Sequence, residues 1–143
     1  MTEERFLDGK VIKRSLPVFQ NSPPRGVVGP KRLLLAQGEL ANFYDGDEGI
    51  RYLALVELRV GQIRGNHFHR VKEEQIYIIS GEVRLVTQSG DENTRVSIEL
   101  RPGDLVMIAT GVAHALKPIE AGCAVEFSKT RFDAADVERV QLV

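Results

Sequence analysis

The sequence has no tryptophan, and aromatic residues make up only 6% of it. Composition therefore argues against a broad aromatic platform for stacking a large flat substrate. Cysteine occurs once, at Cys123, so no internal disulfide can form. The small apolar run around it, Ala121-Gly122-Cys123-Ala124-Val125, reads as a core position in a strand, and no residue nearby in the sequence would lower a thiol pKa. An excess of one charge sign is also missing. Nineteen basic residues face twenty acidic ones, and the longest basic blocks are the pairs Lys13-Arg14 and Lys31-Arg32. Nucleic acid and anionic membrane surfaces both require a concentrated positive field, so neither is the expected partner. Apolar runs such as 33–36 and 105–109 fall far short of the ~20 residues of a membrane span. The first residues, Met1-Thr2-Glu3-Glu4-Arg5, are charged where a secretory signal is basic and then apolar, which gives the expectation of a soluble cytoplasmic protein.

What the chain does have is an ordinary globular composition, 43% hydrophobic and 27% charged, over 143 residues. That length suits one domain with its own core. Residues 10–13 suggest a short strand, after which Pro17, Pro23, Pro24, Gly26, Gly29 and Pro30 are expected to break regular structure. Residues 1–30 therefore read as a partly extended arm that wraps the domain or a neighbouring subunit. From residue 31 the chain becomes a succession of short β-branched and aliphatic runs, at 32–37, 51–60, 75–79, 83–87, 95–100, 105–109, 113–117 and 123–129. Turn-forming residues separate most of them, as at Ser80-Gly81, Ser89-Gly90-Asp91 and Pro102-Gly103-Asp104. In two runs the residues alternate cleanly: Val83, Leu85 and Thr87 oppose Arg84 and Val86, and Val96, Ile98 and Leu100 oppose Ser97 and Glu99. This is the pattern of half-buried antiparallel strands. Only 133–138 reads as helical, with Asp133 as its N-cap. The reading is an all-β, double-sheet jelly-roll barrel over 31–132, followed by a tail at 133–143 with a short helical turn.

The chemistry concentrates in three histidines. His67 and His69 are two apart in Arg64-Gly65-Asn66-His67-Phe68-His69, so in a strand both imidazoles project to one face and Phe68 to the other. Glu74 opens the run Glu74-Gln75-Ile76-Tyr77-Ile78-Ile79 and shares a face with Ile76 and Ile78. If those isoleucines are interior, the carboxylate is interior too, a costly placement unless a cation or strong hydrogen bonds compensate it. Tyr77 has the opposite parity and is expected to pack between sheets or at a subunit interface. If Val125 and Phe127 point into the barrel, Glu126 points away.

The spacing resembles the first cupin motif: Gly61, five residues, His67, one residue, His69, four residues, Glu74, six residues, Gly81. The second motif is similar to Gly103, Asp104, Ala109, Gly111 and His114, with Ala109 where the family usually has Pro and Pro118 where it often has Asn. The resemblance implies a double-stranded β-helix in which two hairpins supply His67, His69, Glu74 and His114 to one divalent metal ion. Glu73 is the rival to Glu74, and motif spacing favours Glu74. Three imidazoles and a carboxylate suit Fe, Mn, Ni, Co or Zn. The stretch from Arg64 to His69 is further similar to cupins of nucleotide-sugar and polysaccharide pathways, including keto-sugar isomerases and epimerases. In several of these the histidine pair works without metal, whereas the complete ligand set here implies an ion.

The resemblance implies metal-assisted proton transfer on a sugar, nucleotide-sugar or other hydroxy-carbonyl compound. The alternatives are an Fe- or Mn-dependent dioxygenase acting on a small chelating substrate, and a non-catalytic module that binds a sugar or small acid. Arg64 and Arg51 are the candidate substrate-binding cations. Open sheet edges and the proline-rich arm suggest a homodimer.

Overall fold

Twelve strands and one 3-10 turn account for the regular structure in the computed structural model, which describes residues 2–90 and 94–143. Asp91, the last residue of one expected turn, lies outside the described residues. The strands are β1 (Thr2–Phe6), β2 (Val11–Ser15), β3 (Val18–Gln20), β4 (Lys31–Leu35), β5 (Gly38–Asn42), β6 (Tyr52–Leu58), β7 (Arg64–His69), β8 (Glu74–Ser89), β9 (Arg95–Leu100), β10 (Asp104–Ile108), β11 (Val112–Ser128) and β12 (Val137–Arg139).

The strands expected at 75–79 and 83–87 are one strand, β8, and those expected at 113–117 and 123–129 are one strand, β11. The residues that suggested turns bend these strands instead. Gly81 has φ +84, and a Cβ on it would lie 2.6 Å from the Glu120 carbonyl; a Cβ on Gly122 would lie 2.1 Å from the Ser80 carbonyl. Only glycine lets the strands cross this closely, and the β8–β11 register shifts there.

Each long strand therefore serves two sheets. The early half of β8 pairs with β10 and with the late half of β11, which also carries β6; the late half of β8 pairs with β9 and with the early half of β11, which also carries β7. The result is a double-sheet jelly roll. Between the sheets lie Val11, Leu58, Ile76, Ile78, Val83, Leu85, Leu100, Val106, Val112 and Leu116, all buried. The predicted alternation holds: Val83, Leu85, Thr87, Ile98 and Leu100 face inward.

The segments outside this unit are more regular than their composition suggests. β2 pairs with β10 and β1 with β2, so the first residues extend one sheet. β3 forms directly after Pro17, where broken structure was expected, and runs parallel to β4; the Pro17 carbonyl accepts a hydrogen bond from Arg32 N at 2.8 Å. The small β3–β4–β5 sheet helps cover an outer apolar cluster. There Tyr77 is buried and stacks on Phe43 at 4.6 Å, while Leu16, Leu105 and Phe127 pack around them.

Asp133 caps as expected by accepting from Ala135 N at 2.9 Å, but the helix is a single 3-10 turn, Ala134–Asp136. Its expected remainder is β12, because Val137, Glu138 and Arg139 complete the open edge of β7. Among the described residues, no helix is long and apolar enough to cross a membrane.

Candidate metal centre

β7 lies against β11 more closely than any side chain on Gly65 would permit. Gly65 has φ +89, and a Cβ there would sit 2.7 Å from the His114 carbonyl. Asn66 follows with φ +56, and its Oδ1 accepts from the N–H groups of Leu142 and Val143, each at 3.1 Å. Beyond this twist His67 pairs across the strands with His114, where the β7–β11 register shifts. The His67 ring lies 4.8 Å from both His69 and His114, and His69 lies 6.1 Å from His114. Phe68 points the other way, into the cluster formed by Ala113, Ala115 and Leu142.

Glu74, at the start of β8, reaches the same point. Its Oε1 is 2.9 Å from His69 Nε2 and its Oε2 is 2.9 Å from His114 Nε2. One ligand atom from each of His67, His69, Glu74 and His114 falls within 4.8 Å of the others. His114 Nδ1 donates to the Val112 carbonyl at 3.0 Å, so in the neutral ring Nε2 presents a lone pair to the centre. Despite the short distances, both nitrogens of His69 and Nε2 of His114 are buried without a hydrogen bond of acceptable angle among the described residues. Buried polar atoms are rarely left this way. Converging nitrogens beside a buried carboxylate are a donor set that fits a divalent transition ion.

The electrostatics follow from burial and neighbours. Burial, reinforced by the nearby His114, lowers the His67 pKa to about 4. Burial acts against charge on His114 as well, but the adjacent Glu74 carboxylate outweighs it and holds the pKa above the ordinary value. For Glu74 burial favours the neutral acid, yet His114, His69 and Lys72 prevail and keep it ionised.

Two residues that the sequence did not assign to the site, Lys72 and Glu126, complete the surroundings. Lys72 is 2% exposed, and its Nζ lies 3.1 Å from Glu74 Oε1, 3.2 Å from Glu126 Oε1 and 4.2 Å above the ring of Tyr52. The two carboxylates overcome the burial penalty and raise the Lys72 pKa. Burial, then the charge of Glu74, raises the pKa of Glu126.

Glu126 corrects the sequence expectation. Val125 and Phe127 face the outer cluster, so Glu126 shares the inward face with Ala124. The available signal was Ala124, a small residue at the parity that the barrel interior requires. For Lys72, flanking charges in Arg70-Val71-Lys72-Glu73 disguise a buried position. Glu73, the rival ligand, turns away and accepts from Ser128 Oγ at 3.0 Å and Lys129 N at 3.2 Å.

A cavity of about 110 Å³ opens onto His67, Glu74, His114 and Glu126, walled by Val56, Ile76 and Leu116. Arg64 stands at this cavity, its Nε donating to the Glu57 carbonyl at 3.0 Å. Arg51 does not join it. It lines a separate cavity of about 380 Å³ with Lys129, Arg131 and Phe132.

Comparison with known proteins adds three findings. Residues 54–128 match the profile of the family described as Cupin domain. No curated protein matches the sequence. Among solved structures, the fold is similar to a 3,4-ketoisomerase from Helicobacter canadensis, with a TM-score of 0.66 at 16% identity over 77% of this chain and 86% of that one. It is similar also to the rmlC epimerase of Mycobacterium tuberculosis, with a TM-score of 0.73 at 12% identity over 97% of this chain and 72% of that one. The dTDP-6-deoxy-D-glucose-3,5-epimerase RmlC of Legionella pneumophila, in complex with dTDP-4-keto-L-rhamnose, gives 0.71 at 13% identity over 99% and 87%. At these identities the likeness is one of fold.

Proposed function

The chain belongs to the cupin family, and from that premise we propose that it is an isomerase- or epimerase-type enzyme that uses one divalent transition metal ion. His67, His69, Glu74 and His114 hold the ion, and the substrate is a sugar, nucleotide sugar or other hydroxy-carbonyl compound. The observation that carries this reading is the convergence of the ring nitrogens of His67, His69 and His114 on the buried Glu74 carboxylate, beside a cavity that also presents a non-ligand carboxylate, Glu126. The fold likeness to ketoisomerases and epimerases supports the substrate class.

When bound, the ion supplies Lewis acidity for a carbonyl or hydroxyl oxygen. The remaining work falls to the chain. Glu126 accepts the proton from the carbon beside the carbonyl and returns it. Its burial and the neighbouring Glu74 raise its basicity toward what such a transfer needs. Lys72 fixes the Glu126 carboxylate and balances its charge. Val56, Ile76 and Leu116 keep the cavity wall apolar and limit competing water. Arg64 binds an anionic part of the substrate, and Arg51, in its separate cavity, contacts only a substrate long enough to reach it.

The test is incubation of the metal-loaded protein with keto-sugar nucleotides in deuterated water. Deuterium is expected at the carbon beside the carbonyl, and Glu126→Gln is expected to slow its appearance by about 10²–10⁴-fold. No deuterium in any substrate contradicts the proposal, and oxygen uptake with a diketone or catechol would favour the dioxygenase alternative.

A further inference from the structure

Each sheet of the jelly roll ends in strands bonded on one side only, and these edges are not alike. β1 presents Glu3, Glu4 and Arg5, β9 turns Arg95, Ser97 and Glu99 outward, and β12 is three residues long. Charge and shortness are the usual protections of a free edge. β6 lacks them. It runs seven residues without proline, pairs only with β11 among the described residues, and shows no register shift along that pairing. Its outer face carries Arg51, Leu53, Leu55, Glu57 and Arg59 in alternation, with Leu53 70% and Leu55 73% exposed.

We propose that β6 is the seam of a two-fold dimer, in which β6 of one copy pairs antiparallel with β6 of a second copy about Ala54 to form one continuous sheet. The order of side chains selects both the partner and the register. Residues directly opposite in an antiparallel ladder share a face, so only pairings that match outward with outward positions are allowed. A two-fold axis at Leu55 would set Arg51 against the second copy's Arg59 and Leu53 against its Glu57. An axis at Leu53 would set Arg51 against Leu55. An axis at Ala54 sets Leu53 against Leu55 and Arg51 against Glu57, twice over by symmetry. The strand is thus self-complementary in both charge and apolarity, as an isologous interface requires. Val56 on the inner face of β6 lines the cavity, so the seam borders the candidate site while contributing none of the proposed ligands. The inference is independent of the proposed activity.

The full-length chain is expected to sediment as a dimer, and the Leu53→Lys/Leu55→Lys variant as a monomer with an unchanged circular-dichroism spectrum. Register is read separately in a Cys123→Ser background. Mild oxidation of a mixture of Leu53→Cys and Leu55→Cys proteins should yield a cross-linked dimer, and oxidation of either alone should not. A wild-type monomer overturns the proposal, including the case in which a different protein covers β6. So does a dimer indifferent to the double lysine variant, or cross-linking of either cysteine variant by itself.

Discussion

Burial and the Glu74 carboxylate pull His114 in opposite directions, and because the carboxylate prevails, the metal-free centre holds a proton there above the ordinary histidine pKa of 6.5. His67 behaves oppositely, staying neutral down to about 4 because burial disfavours its charge. The two therefore contribute to metal-free stability with opposite signs. The raised His114 stabilises the fold fully below 6.5 and loses that contribution as pH rises through its folded value. The depressed His67 contributes fully above 6.5, and its contribution is lost as pH falls toward about 4. An ion needs neutral imidazoles, so its binding must expel the His114 proton. Titration calorimetry of the metal-free protein near pH 7 in buffers of different ionisation enthalpy should show release of up to one proton per ion, and affinity that rises with pH. Proton uptake on binding would contradict this assignment. That His67, His69 and Glu74 would share one face was legible from spacing and parity, since His67 and His69 are two apart and Glu74 shares parity with Ile76 and Ile78. Glu126 was not, because sequence alone does not say which apolar neighbours face the barrel and which face the outer cluster.

Gly65 sets how closely β7 approaches β11, and that approach brings His67 beside His114. Gly65→Ala would force a Cβ to 2.7 Å from the His114 carbonyl at a φ of +89, so the strands must separate. The expected cost is about 2 kcal/mol or more from the strained backbone and the clash, together with a tenfold or greater loss of metal affinity as the ligands part. Gly61→Ala carries a similar positive φ but meets nothing within 4 Å, so it should lower thermal stability less and leave metal affinity unchanged. Thermal melts and metal titrations of the two variants check this; equal metal affinity in both would refute it. Strand existence was largely readable from alternation, but continuity was not. Gly81 looks like a turn glycine in one dimension and Gly122 like part of a small apolar run, and only the crossing of β8 and β11 reveals that their missing side chains make room for a neighbouring backbone. β12 was missed for a related reason: a free edge on β7 outweighs the local helical preference of 133–138.

At the scale of the molecule, terminal segments lock the centre in place. β1 and β2 extend one sheet, and β12 covers β7, whose Asn66 ties down the last two residues. Asp136 accepts hydrogen bonds from the backbone N–H groups of Arg70, Val71 and Lys72, fixing the turn that delivers Glu74 and Lys72 to the interior. The jelly roll was legible because many short alternating runs separated by turns admit few other architectures. A strand at 10–13 was legible, but the partners of β2 and β12 were not, because these strands pair with residues far away in sequence. The central claim is that this framework gathers three imidazoles and one carboxylate around a single ion. Elemental analysis of protein purified without chelator tests it most directly. The wild type should carry about one equivalent of a divalent transition metal, and Glu73→Gln should retain it. His67→Ala and His114→Ala should each fall to roughly a tenth or less, as expected when a ligand is removed. Full metal content in both histidine variants would contradict the account.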